Sequence, residues 1–414
     1  MNSGQHHSCK HHSCRFCGTP LHHTFADLGT TPLANRNLRQ DEIVTEPRFP
    51  LIARVCQACL LVQIDDSVPP GAIFSDYDYF SSYSTSWLAH ARNYCDTMRL
   101  RLGLGRGSFV VEIASNDGYL LQNFLDLEML GIEPAANIAK FANDRGIPTD
   151  VAFFGIETAR RIVREHRRAD LIAANNVLAH APDTRDFVGG VALLLSKNGT
   201  ATFEFPHLLR LIQGLQFDTI YHEHFFYLSL LTAERIFHAS GLRIYDVEEL
   251  STHGGSLRLF VCHRSAGQAE SDSVEIMRNK ERAAFLDRLD GYREFESRIA
   301  GVKNSFLTYL RSAKASGRRI AAYGAAAKGN TFLNVCGAGY PDIEAAFDRN
   351  PAKQDKFTPG SHIPILSPDR LSAVRPDDLV ILPWNIADEV MDSMSFIRDW
   401  GGRFVLAVPE LRIV

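Results

Sequence analysis

Tyr221, His222, Glu223 and His224 follow one another inside the run Phe217-Asp218-Thr219-Ile220-Tyr221-His222-Glu223-His224-Phe225, a segment with neither helical nor strand periodicity. A histidine can take a proton near neutral pH, and a tyrosine hydroxyl can donate to an oxygen that gains charge. Upstream, Ala201-Thr202-Phe203-Glu204-Phe205 reads as a buried strand ended by Pro206. Loops beyond the carboxyl ends of strands are where α/β enzymes keep their chemistry. Surface or capping side chains are the alternative, and the rest of the chain decides between the two.

A second chemical group lies near the start. Cys14-Arg15-Phe16-Cys17 and Cys56-Gln57-Ala58-Cys59 are two C-x2-C knuckles. Together they offer four thiolates to one zinc ion, and four protein ligands leave no open position, so the metal is expected to be structural. Four ordinary reduced cysteines are the bland alternative. Cys9 is a spare thiol rather than a ligand. Before the knuckles, residues 1–13 carry His6, His7, His11 and His12 and read as a disordered tail.

The elements that must position these groups follow. Pro69-Pro70-Gly71 ends the zinc-binding module, and the aromatic, hydroxyl-rich stretch Phe74 to Ser84 comes next. It either lines a sugar site or packs a connector against the following domain. A helix is expected from Thr85 to Leu102. Ser108 to Ile113 reads as a buried parallel strand, Ala114-Ser115-Asn116-Asp117-Gly118 as a turn, Tyr119 to Leu127 as a helix, and Met129 to Glu133 as a second strand ending in an acid. Strand, turn, helix and a later acid form a nucleoside-binding Rossmann unit, with Glu133 on the ribose. The turn lacks G-x-G-x-x-G, and Glu112 precedes it. A pyrophosphate wants glycines and free amides. A sulfonium with an amino-acid end suits an acidic turn better, so the expected cofactor is S-adenosylmethionine.

Asp170 to Ala174 reads as another strand, running into Asn175-Asn176 and then His180. The asparagines flank the cofactor or cap a turn; His180 is functional or a satisfied structural histidine. Leu228 to Ala239 reads as a helix. Gly241 to Val247 and Ser256 to Val261 read as antiparallel strands joined by His253-Gly254-Gly255, and Ser271 to Ser316 as a charged helix pair. Arg319 to Gly324, Ala325 to Asn330 and Ile343 to Asp348 then repeat strand, glycine turn, helix and acid-ended strand. Small residues with Lys328 suit a phosphate or merely close helix packing. Leu379 to Asn385 and Arg403 to Val408 supply further strands.

The chain has 414 residues, 45% of them hydrophobic, and a formal charge of -4, which supports two or three domains and argues against a nucleic-acid partner. No apolar run reaches spanning length. Paired reduced cysteines fit the cytoplasm. An O-methyltransferase would share the cofactor domain. A nucleic-acid modifier would need a basic stripe, and a nicotinamide oxidoreductase the missing fingerprint.

The ordered set of two knuckles, V-E-I-x-x-N-D-G, A-N-N-x-L-x-H, F-D-x-I-Y-x-E-H-F, H-G-G and Y-G-A-x-A-K resembles the sugar C-methyltransferases that act on TDP-linked 4-ketohexoses, of the tetronitrose-biosynthesis type. The resemblance covers the chain after its His-rich tail. It implies a class I methyltransferase Rossmann-like domain, an N-terminal zinc-binding domain and a C-terminal Rossmann-like α/β domain. The expected boundaries are 14–68 for the zinc-binding domain, 69–265 for the methyltransferase domain, 266–316 for a helical connector and 317–414 for the C-terminal domain. It implies His224 as general base, with Tyr221, Glu223, His180 and Tyr79 (or, with a slip in register, Tyr77) around the substrate. His222 receives no role. Ala114-Ser115 stand where some members have Gly-Cys. The candidate cofactor contacts are Glu112, Ala114, Asn116, Asp117, Gly118, Glu133, Pro134, Phe154, Asn175 and Asn176. The candidate sugar-nucleotide contacts are Tyr77, Tyr79, His180, His253, Tyr323, Lys328, Asn330 and Asn385. Methylation of carbon 3 through an enolate, in a monomeric enzyme of deoxysugar or antibiotic biosynthesis, is the implied activity.

Overall fold

A computed structural model describes residues 12–66, 68 and 81–414. Its strands are β1 (His23–Thr31), β2 (Phe49–Val55), β3 (Val62–Ile64), β4 (Phe109–Ile113), β5 (Glu128–Ile132), β6 (Thr149–Asp150), β7 (Ala169–Asn175), β8 (Leu195–Pro206), β9 (Phe226–Tyr227), β10 (Leu242–Leu250), β11 (Ser256–His263), β12 (Ile320–Tyr323), β13 (Ala346–Phe347), β14 (Ile365–Leu366), β15 (Asp378–Ile381), β16 (Arg403–Leu406) and β17 (Arg412–Ile413). They form three sheets among the described residues: β1-β2-β3-β9, β10-β11-β8-β7-β4-β5-β6 and β14-β13-β12-β15-β16-β17.

The middle sheet is parallel from β8 through β7, β4 and β5 to β6, and β11 and β10 close it antiparallel. Every residue of β4 is buried, as expected of a strand covered on both faces. The helix Thr85–Leu102 covers one face. Its Ser84 cap accepts from the Trp87 amide, Gly103 ends it in a left-handed turn, and Ala91, Tyr94, Cys95 and Met98 recur at helical spacing against the sheet.

The expected helix over Tyr119–Leu127 shrinks to one 3-10 turn, Leu121–Phe124. Tyr119, Leu120, Leu121 and Phe124 are all buried, which one helical face cannot arrange. The Gln122 and Asn123 amides bond the carbonyls of Tyr119 and Leu120, competing with a helical ladder. The expected second strand of the last unit is likewise only β13, paired to β12 at Ala322 and Tyr323. The charged stretch before it does form a helix pair, Asp272–Ala283 and Phe295–Ala315.

The tail expectation for residues 1–11 lies outside the described residues. His12 and Ser13 are built into the first knuckle: the Leu21 amide donates to the His12 carbonyl and Ser13 bridges Pro20. β9, which leaves the His224 loop, is a strand of the first sheet rather than the middle one: Val62 pairs with Tyr227 and Gln63 with Phe226. The loop is thereby stitched to the cysteine module.

Candidate active site

The four sulfurs of Cys14, Cys17, Cys56 and Cys59 lie within 4.8 Å of one another, with Cys14–Cys59 and Cys17–Cys56 both at 3.5 Å. Zinc about 2.3 Å from each thiolate would space the sulfurs about 3.8 Å apart. The donor set therefore fits the metal. Hydrogen bonds from Cys56 and Cys59 hold the Cys14 thiol well below its ordinary value. Four such thiols cannot all ionise unless a cation lies among them.

At the carboxyl edge of β4 the backbone is strained. Ala114 and Asn116 adopt left-handed φ angles of 55° and 48°. Gly118 is required: at φ 80° its Cβ would lie 2.4 Å from Ile147 Cδ1. Among the described residues, buried oxygens there lack partners, namely Glu112 Oε2, Asp117 Oδ1 and, from the end of β7, Asn175 Oδ1 and Asn176 Oδ1. Such orphans are costly unless something donates to them. A cradle of acceptors suits a sulfonium and an ammonium group, so the residues fit S-adenosylmethionine. Burial and the nearby acids Asp117 and Glu133 push Glu112 well above the usual carboxylate range, against a hydrogen bond from Tyr119. Burial also raises Glu133, although the amides of Ala135 and Asn116 donate to it at 2.9 and 3.1 Å. Each of its oxygens keeps a lone pair for a further donor. Pro134 follows at the rim, and Phe154 stands edge-on against Phe187, 5.3 Å between centroids.

The loop carries Tyr221 and His224 on one side and His222 and Glu223 on the other. The Tyr221 hydroxyl lies 3.0 Å from His224 Nε2. His224 Nδ1 lies 3.2 Å from the Thr219 carbonyl oxygen, which can only accept. Nδ1 therefore carries the hydrogen, and Nε2 is the bare nitrogen. The His180 ring stands edge-on to it at 4.8 Å. Burial, then the neighbouring His180, hold His224 well below the ordinary imidazole value. Burial brings His180 down to about 4, opposed by the Glu223 backbone, and its Nδ1 has no partner among the described residues.

Glu223 faces away from this imidazole. Asn35 donates to its carboxylate, and burial lifts it to about 7. The group that orients the imidazole is the Thr219 carbonyl, not the Glu223 carboxylate. His222 is also an anchor: Nε2 donates to the Pro50 carbonyl at 3.2 Å.

The hairpin His253-Gly254-Gly255 closes the other wall. His253 has φ 55°, stands 5.5 Å from the Trp87 ring, and is brought down to about 4 by burial and the charge of Lys328. A Cβ on Gly254 would lie 2.4 Å from Trp384. Lys328 donates to Asn385 Oδ1 at 2.7 Å and lies 4.8 Å from the Trp384 ring centroid. Trp384 in turn donates to Asp218 Oδ2 at 2.6 Å. Asn330 is fully buried with its Oδ1 unpartnered among the described residues, and Tyr323 is buried at the end of β12. The small residues beside Lys328 also serve packing, since a Cβ on Gly329 would meet Leu382 at 2.7 Å.

His180, the loop pair Tyr221 and His224, and His253 are thus brought together from three separate elements near Lys328. Tyr77 and Tyr79 lie outside the described residues. Sequence reasoning missed the network under His253, where buried Glu204 accepts from His90, Arg258 and Thr252 at 2.9–3.0 Å. Burial would raise that carboxyl, but His90 and Arg258 outweigh it and hold it low. It also missed Asn35 and Asp218 as partners. No local pattern marks them, because Asn35 and Glu223 are 188 positions apart and Asp218 and Trp384 are 166 apart.

Comparison with known proteins adds three family matches: a zinc binding domain over residues 14–74, a methyltransferase domain over 87–247 and the C-methyltransferase C-terminal domain over 251–409. C-methyltransferase NovU of Streptomyces niveus is 36% identical over 404 residues, which is 97% of this chain and 96% of that protein. Among solved structures, an S-adenosylmethionine-dependent methyltransferase from Clostridium acetobutylicum is 13% identical, covering 48% of this chain and 96% of that one, with a TM-score of 0.35. Magnesium protoporphyrin IX methyltransferase from Synechocystis is also 13% identical, covering 47% and 88%, with a TM-score of 0.32. Likenesses that low bear no weight here. No helix among the described residues is long and apolar enough to cross a membrane.

Proposed function

Since the chain belongs to the C-methyltransferase family that includes NovU, and is an S-adenosylmethionine-dependent enzyme with an N-terminal zinc-binding domain, we propose that its substrate is a TDP-linked 4-keto-deoxyhexose methylated at carbon 3. The observation that carries this reading is the neutral His224 ring, with Nδ1–H on the Thr219 carbonyl and bare Nε2 3.0 Å from the Tyr221 hydroxyl.

A carbon beside a ketone is acidic because its conjugate base is an enolate. With substrate bound, the Tyr221 hydroxyl turns from Nε2 to the ketone oxygen, which frees the Nε2 lone pair, and His224 Nε2 takes that proton while the phenol donates to the enolate oxygen. One such donor contributes about 3 kcal/mol to a transition state. Depression of the His224 pKa keeps the ring in its base form across neutral pH, at some cost in base strength. His180, edge-on to it, borders the same space. When bound, S-adenosylmethionine supplies a sulfonium methyl to the carbon nucleophile. The acidic turn binds and orients that group through Glu112, Ala114, Asn116, Asp117, Gly118, Glu133, Pro134, Phe154, Asn175 and Asn176. Lys328, with Asn330, Asn385 and Tyr323, receives the nucleotide end, and a cation beside a helix start supports an anionic partner there. His253 separates the two. Tyr79 or Tyr77 is a further donor in this reading. Zinc holds the fold and takes no chemical step. The boundaries 14–68, 69–265, 266–316 and 317–414, a cytoplasmic setting and a monomeric state complete the proposal.

The test is His224→Asn, assayed in D2O with a panel of keto-sugar nucleotides. The parent exchanges the carbon 3 hydrogen and transfers methyl; the variant loses both by at least about 1,000-fold, the scale of a lost catalytic base. Exchange at the parental rate in the variant removes His224 as base.

A further inference from the structure

The first cysteine knuckle lies against both loops that carry the paired histidines, and one side chain reaches the two of them. Arg15 sits between Cys14 and Cys17, with its side chain only 11% exposed. Its Nη1 donates to the Pro182 carbonyl at 3.3 Å, just beyond His180. The same guanidinium lies 4.6 Å from the centroid of the Phe225 ring, next to His224. The Arg15 amide donates to Gln63 Oε1 at 2.9 Å, and Gln63 Nε2 donates to Cys14 Sγ at 3.2 Å. Gln63 is also the β3 residue paired with Phe226. The two loops meet directly where the Phe225 amide donates to the Ala179 carbonyl at 2.7 Å. Arg185 adds a tie from the His180 side, donating to the Phe16 carbonyl at 3.0 Å. Asp66 pairs with Arg15 and supplies its counter-charge.

We propose that Arg15 is a positioning residue: it locks the His180 loop to the His224 loop, so that the zinc-binding knuckle sets the geometry of the imidazole pair. The inference rests on the reading that these two rings belong to the active site. It gives the metal module a second task besides folding, because a knuckle that shifts carries Arg15, and hence both loops, with it. The guanidinium suits the task, since its planar fork can bond a carbonyl at its edge while its face covers an aromatic ring.

Hydrogen exchange on the zinc-loaded full chain, without sugar or methyl donor, tests this. In Arg15→Ala, amides of residues 179–181 and 221–227 should exchange roughly tenfold faster or more, while those of β12 and β15 stay unchanged and the zinc content stays full. Arg15→Met keeps the apolar stem and loses the guanidinium, and decides the matter if Arg15→Ala fails to fold or to hold zinc. Methyl transfer should show kcat falling with the KM for S-adenosylmethionine unchanged, and Arg15→Lys should restore part of it. Parental exchange in both segments of Arg15→Met overturns the proposal. Because exchange needs no substrate, a wrong sugar assignment leaves the measurement intact.

Discussion

The chain builds a strand, a tight turn and a following segment twice, and gives the two turns opposite polarity. Around the carboxyl ends of β4 and β7, Glu112, Asp117, Asn175 and Asn176 leave buried oxygens without donors among the described residues. Beyond β12, Lys328 is turned inward at the start of the helix Ala327–Cys336, against Trp384 and Asn385. The first turn wants a cationic guest and the second an anionic one. Architecture alone therefore says little about the ligand; the sign of the groups at each strand's carboxyl end says more. His180, His224 and His253 lie between these poles, and burial holds all three neutral.

The contrast is open to direct attack. The largest effect is expected from Asp117→Asn, which keeps an acceptor for the Ser82 amide but removes a buried charge. Calorimetry should show the Kd for S-adenosylmethionine rising about 100-fold, in line with a lost buried charge contact, and the Kd for a TDP-sugar unchanged. If both affinities fall together, the two turns are not separate sites.

Lys328→Met should do the reverse. TDP-sugar binding weakens about tenfold and loses part of its salt dependence, as expected for one charge contact to phosphate, while cofactor binding holds. Equal salt dependence in parent and variant would mean that Lys328 serves only Asp218 and Trp384.

The smallest effect concerns the histidines between the poles. The folded values for His180 and His253, about 4, lie below the unfolded value of about 6.5. Between those limits the unfolded chain binds more protons, so their stabilisation is complete above pH 6.5 and is lost as pH falls toward 4. At pH 5.5 each should cost about 1.4 kcal/mol relative to pH 8. Denaturant titrations of His253→Asn should show a shallower acid slope than the parent; the same slope would mean that His253 is not held neutral.

How far the sequence could be read depended on the range of each interaction. The helix Thr85–Leu102 was legible to the residue, because its cap, its apolar spacing and its terminal glycine are local. Paired cysteines gave the metal set for the same reason. The segment after Gly118 read as a helix and is not one, since burial on consecutive positions and side-chain bonds to nearby carbonyls override propensity.

Residue types and their order decided that four thiols, an acidic turn, a lysine turn and a proton-handling loop exist in this chain. Only the tertiary structure decided which way the loop faces. It turned Tyr221 and His224 toward His180, sent His222 and Glu223 to Pro50 and Asn35, and gave the orienting role to the Thr219 carbonyl. The physical reason is that consecutive residues without strand or helix periodicity have no face of their own. Theirs is set by partners far away in the chain, among them β3 and Arg15, which only packing brings near.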